Sequence, residues 1–133
     1  MTIIALHPTR QQLEALTESS ETGPVVMLNL LRFKERATAP DEGVSGQEAY
    51  RRYVDAMRKI VEARGGRVLW TGRVDGQVIG EGAEGFQMAA LVEYPSRKAF
   101  VAIATSPEVA AIGVHRTAGL AGQWLIATTT HSE

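Results

Sequence analysis

Val25 to Phe33 reads VVMLNLLRF, a stretch in which only Asn29 and Arg32 are polar. A run this apolar, with Gly23-Pro24 before it and charges after it, predicts a strand buried on both faces. Further on, Tyr50, Tyr53, Val54, Met57, Ile60, Val61 and Arg64 recur at helical spacing, with Arg51, Arg52, Asp55, Arg58, Lys59 and Glu62 opposite. That pattern predicts an amphipathic helix over about 46–64. Ser45 and Glu48 stand at capping-box spacing at its start, and Gly65-Gly66 ends it in a way only glycine does cheaply.

Other elements follow from weaker patterns. Thr9 caps a short helix carrying Leu13 and Leu16, which ends in the polar run 17–24. Lys34 to Gly46 is a long loop, a length often tied to function or motion. Arg67 to Val74 is a strand, and Asp75-Gly76 is a hairpin-type turn into a short partner strand, Gln77 to Gly80. Residues 81–85 form a connection before a strand from Phe86 to Tyr94. Pro95-Ser96 opens a helix with Ala99, Phe100 and Ile103 inward, and Ser106-Pro107-Glu108 restarts one to about Val114. Gly119 and Gly122 mark a loop, and Gln123 to Thr130 is the last strand.

After the first helix the order is β-α-β-(β)-β-α-β, the α+β, ferredoxin-like split βαβ arrangement on an antiparallel sheet. One domain spans 1–133, with 1–22 as a helical extension and 23–130 as the core. Helices cover one sheet face only, yet β-strand residues are apolar on both: Val26, Leu28 and Leu30 on one side of the first strand, Val25, Met27, Leu31 and Phe33 on the other. No spare element covers the second face, so a second copy of the chain is the expected cover, giving a homodimer.

Composition narrows the functional classes. In 133 residues, 44% are apolar and 22% charged, with a formal net charge of −1. There is no basic excess to suggest nucleic acid. Ile3 to Leu6 is too short for a signal-peptide core, no segment approaches a membrane span, and a cytoplasmic protein is expected. With no cysteine, disulfides and thiolate chemistry are excluded, and three histidines leave no structural zinc set. No dinucleotide fingerprint, phosphate loop, nucleophile elbow or HExxH occurs. No cofactor is expected.

The blocks PVVMLNLLRFK, GGRVLWTGR, ALVEYPSRKAFVAIATSPE and IGVHRTAGLAGQWLI, in this order, resemble family thirteen-thirty of the domains of unknown function. The resemblance covers about Gly23 to Thr128. It implies the dimeric α/β-barrel superfamily, in which two four-stranded sheets face each other around a cavity. That superfamily includes cofactor-free monooxygenases, haem-handling enzymes, lactone isomerases and stress-response dimers.

Candidate chemistry is spread along the chain. Asn29 is either a ligand-orienting amide or a structural one paired with backbone or Arg32. Arg32 and Arg73, near strand ends, can clamp a carboxylate or simply be solvated. Trp70 and Trp124 can wall an apolar ligand or fill a core or dimer interface. Tyr50 and Tyr53 sit on the inward side of the main helix. His115-Arg116 is the most suggestive pair: His115 can act as acid, base or ligand, or can cap a helix end. Glu93 can be a general base if desolvated. His7 and His131 are expected in solvent. Two functional classes result. One is a dimer binding a small apolar or aromatic acid, between sheet and helices or between sheets, lined by Asn29, Arg32, Trp70, Arg73 and Arg116. The other is a cofactor-free monooxygenase or isomerase using His115 or Glu93.

Overall fold

A computed structural model of the chain describes residues 5–131. Its elements are α1 (Arg10–Thr17), β1 (Val25–Phe33), α2 (Gly46–Ala63), β2 (Arg67–Arg73), β3 (Met88–Tyr94), α3 (Arg97–Ala104), α4 (Pro107–Gly119) and β4 (Leu120–Thr128). The sheet is antiparallel, in the order β2-β3-β1-β4. β1 and β3 are central and β2 and β4 are edges, as the split βαβ arrangement requires. No helix among the described residues is long and apolar enough to cross a membrane.

Local chemistry explains the helix starts. The hydroxyls of Thr9, Ser45, Ser96 and Ser106 each accept from a backbone N–H three residues on, filling a donor that the first turn leaves open. At Thr9 the box is closed, because the Gln12 side chain accepts from the Thr9 N–H.

Alternation along β1 sorts the core. Val25, Met27, Leu31 and Phe33 point at the helices and meet Val61, Tyr50 and Tyr53 of α2. Leu31, Ile103, Leu120, Val25 and Val61 are the largest fully buried side chains. At about 25 cal/mol per Å² of buried apolar area, these contacts dominate the fold's stability. Side chains directly opposite share a face. Val26, Leu28 and Leu30 therefore join Leu91, Ala89, Trp124 and Ile126 on the other face. Trp70, opposite Leu91, belongs there too, and its indole lies over Gly72, where a Cβ would sit 2.3 Å from the ring. Trp70 is 52% exposed and Ile126 45%. No described helix covers this open face.

Two expectations change. Asp75-Gly76 does not form a hairpin turn, and Gln77 to Gly80 is not a strand: residues 74–87 are a loop. The Gln77 side chain ties that loop to itself, accepting from the Ala83 N–H and donating to the Ile79 carbonyl. Gly80, Gly82 and Gly85, all at positive φ, let the chain curl there. The loop lines a half-open pocket of about 400 Å³, and Val78 and Ile79 at its tip are almost fully exposed. Nor do Gly119 and Gly122 mark a loop: α4 runs on to Gly119, and Gly122 lies inside β4.

Candidate functional site

The polar candidates fall into three separate places. The first lies between the sheet and the helices. Asn29, in mid-β1, points to the helix side with Met27 and Leu31, away from the open face on which a barrel cavity would lie. Its amide nitrogen donates to the Met27 carbonyl at 3.2 Å. Its oxygen accepts from Gln123 Nε2 at 2.8 Å. Gln123 Oε1 in turn accepts from Arg116 Nη2 at 2.6 Å, and the same nitrogen donates to the Leu6 carbonyl. Tyr50 and Tyr53 complete the group, with ring centroids 5.5 Å apart and Phe33 5.5 Å beyond Tyr50. Burial pushes both phenols above their ordinary range, while the nearby Arg116 charge pulls both the other way. Arg116 is thus a half-buried cation facing two phenols and two amides, and no carboxylate pairs with it among the described residues.

The second place is the outer edge of the helix layer. His115 Nδ1 lies 2.6 Å from Asp41 Oδ2, and Arg52 Nη1 lies 2.5 Å from Oδ1. The Asp41 side chain is only 3% exposed. His115 holds its carboxyl below the ordinary value of 3.8, with Arg52 helping and burial opposing. An ionised carboxylate only accepts, so in this pair the donor is the His115 Nδ1–H. This cluster fastens the loop 34–45 to the end of α4. Lys34 N–H and Thr38 N–H donate to the Gly119 and Ala118 carbonyls, and Lys34 Nζ donates to Thr117. Those carbonyls are the ones a helix end leaves without partners. Because Asp41's folded value is depressed, the stabilisation is present above pH 3.8 and is lost as pH falls through the lower folded value. Thermal melts across pH 2–7 check this: Asp41→Asn is expected to melt well below the wild type at neutral pH, with the gap closing on the acid side. A gap independent of pH would contradict it.

The third place is the open face and its rim. Glu93 faces this side and pairs with Arg67 at 3.1 Å. Arg32 is exposed there against Gly85. Trp70 lies across Gly72, and Trp124 packs against Phe86 with the rings tilted and their centroids 4.8 Å apart. Arg73, opposite Met88, lies on the other face of edge strand β2 from Trp70 and pairs with Asp75 in solvent. His115 and Glu93 therefore lie on opposite sides of the sheet and cannot serve as one acid–base pair. His7 and His131 are exposed, as expected. Among the described residues, no three His, Asp or Glu side chains gather as a metal site would need.

Of the residues singled out in the sequence, the structure brings Asn29, Arg116, Tyr50 and Tyr53 into one group. Gln123, which links Asn29 to Arg116, reads in the sequence as an ordinary strand residue. Asp41 reads as a turn residue in Pro40-Asp41-Glu42-Gly43, and nothing local announces its contact with His115.

The profile of the domain of unknown function DUF1330 matches residues 41–130. The chain belongs to the DUF1330 family. Its fold is ferredoxin-like, as in the solved structures that follow. A protein of unknown function from Rhodopseudomonas palustris, RPA0582, is 31% identical, with 98% of this chain and 100% of that one covered and a TM-score of 0.88. A dabb family protein with a ferredoxin-like fold from Mesorhizobium loti is 15% identical, over 83% of this chain and 99% of its own, with a TM-score of 0.54. A dimeric ferredoxin-like protein of unknown function from Thermobifida fusca is 14% identical, over 85% and 96%, with a TM-score of 0.52. No curated protein matches the chain. These DUF1330 comparisons bear on the fold and leave the chemistry to be argued from the side chains.

Proposed function

We propose that this DUF1330 domain works as a homodimer that binds a small apolar or aromatic carboxylic acid between the sheet and helices α2 and α4. One observation carries the reading: Arg116 sits half-buried beside the aromatic cluster with two amides at hand and no carboxylate partner among the described residues. A half-buried cation without a counter-ion is only partly compensated, and a ligand carboxylate would complete it. Guanidinium–carboxylate pairs are also shorter and stronger than bonds between neutral groups. Phe33, Tyr50, Tyr53 and Leu31 offer the acid's body an apolar wall. The dimer reading rests on the open face of Val26, Leu28, Leu30, Leu91, Trp70 and Ile126, which needs a cover of its own kind.

A melting screen against short apolar and aromatic acids tests the binding. A matching acid at a hundred times its Kd is expected to raise the melting temperature by about 10 °C. Arg116→Gln is expected to abolish the rise. No response to any acid, or a rise that survives Arg116→Gln, would overturn the reading.

A further inference from the structure

Arg116 is not idle in this structure, because the Leu6 carbonyl already occupies its Nη2. Leu6, partly buried, also packs against the cluster that Tyr50 and Tyr53 form with Leu31, Phe33 and Leu120. Leu6, four residues ahead of α1, thus does both things expected of the acid: an oxygen on the guanidinium and an apolar body against the aromatic cluster. We infer that Ala5–Leu6 is a displaceable strap that fills the acid's place, and that the acid resembles the residue it displaces. The inference rests on the carboxylate reading and sharpens it to a branched aliphatic acid of about leucine's size.

Among the described residues, the strap is held by few contacts. Ala5 makes an isolated bridge to Gln123, whose N–H donates to the Ala5 carbonyl at 2.8 Å. His7, Pro8 and Thr9 are exposed, and α1 buries no residue. Few buried contacts mean that a local opening costs far less than unfolding. A neutral carbonyl is the poorer partner for a guanidinium, so an arriving carboxylate gains on exchange. The strap then sets the apparent affinity, since binding is reduced by the fraction of molecules in which it is open.

The test uses the full chain and 4-methylpentanoate, which keeps leucine's spacing between carboxyl carbon and branch point. Binding is measured by calorimetry on the wild type, Leu6→Gly, Leu6→Ala, Leu16→Ala and Arg116→Gln. Leu6→Gly is expected to bind about tenfold more tightly, as for a strap open in one molecule in ten. Leu6→Ala is expected in between. Leu16→Ala, which trims a leucine packed on the separate Val25 cluster, is expected to match the wild type. Hydrogen exchange reads the displacement directly: in the wild type, added acid should speed exchange of the Gln123 amide while slowing exchange in the core. If Arg116→Gln abolishes binding but neither Leu6 variant binds more tightly and the Gln123 amide slows, the strap is structural and the binding reading stands. Binding that ignores Arg116→Gln, or no binding to any chain, overturns both.

Discussion

Gly119→Ala is expected to cost about 3 kcal/mol or more and to leave much of the chain unfolded at 37 °C. A Cβ at Gly119 would stand 2.4 Å from the Gly46 carbonyl oxygen and 2.8 Å from the Tyr50 nitrogen. From the other side, a Cβ at Gly46 would stand 2.1 Å from the Lys34 carbonyl oxygen and 2.7 Å from that of Gly119. The obstacles are backbone atoms, so no rotamer change makes room. Here the start of α2 and the end of α4 touch main chain to main chain, with Ala37, Ala49 and Ala118 completing a contact of small side chains. The same carbonyl of Gly119 accepts from Lys34 N–H. Forcing the helices apart would therefore also break the closure of the 34–45 loop. Gly113, with nothing within 4 Å of its Cβ position, is the internal control. Gly113→Ala is expected to be neutral or slightly stabilising, because alanine favours helix. Urea unfolding of both variants checks the pair; equal stabilities would contradict the account.

If the chain dimerises through the open face as proposed, Leu28→Lys is expected to yield a monomer while leaving the protomer folded. Leu28 lies on a central strand of the open face, between Leu91 and Ile126. In a lone protomer that position borders water, and lysine there is tolerable. In a dimer closed through this face, a two-fold interface buries the new charge twice. Each uncompensated charge costs several kcal/mol, so a combined loss of about 4 kcal/mol or more, roughly a thousandfold in Kd, is expected. Sedimentation at micromolar concentration reads it, with circular dichroism to verify folding. A wild type that sediments as a 14.4 kDa monomer, or a Leu28→Lys chain that still dimerises, would contradict the dimer.

Much of this fold is legible in residues such as Val25 to Phe33 and Tyr50 to Val61, where dense or periodic apolar positions leave few alternatives. Strand alternation also places Asn29 with Met27 and Leu31, although which face the helices take is not written in β1. Local turn chemistry misleads at Asp75-Gly76, because the partner strand that would complete a hairpin is replaced by a loop bonded to itself through Gln77. Glycine misleads again at Gly119, where its small size serves a helix crossing and not a break. The candidate site is less legible. Arg116 and Asn29 stand out as polar residues in apolar surroundings, but their link through Gln123 spans 94 residues of sequence from Asn29. Asp41 and His115 are 74 residues apart. Contacts of that separation are made by tertiary packing, and a single sequence carries no local trace of them.

The most direct test of the central claim is a titration of the nitrogen-15-labelled chain with 4-methylpentanoate, followed by two-dimensional NMR. The side-chain N–H signals of Arg116, Asn29 and Gln123 lie on the helix side of the sheet, and the indole N–H signals of Trp70 and Trp124 report on the open face. Saturable shifts confined to Arg116, Asn29 and Gln123, lost in Arg116→Gln, are the predicted result. Shifts centred on the two indoles, with the Arg116 group unmoved, would place the ligand between the sheets and contradict the account.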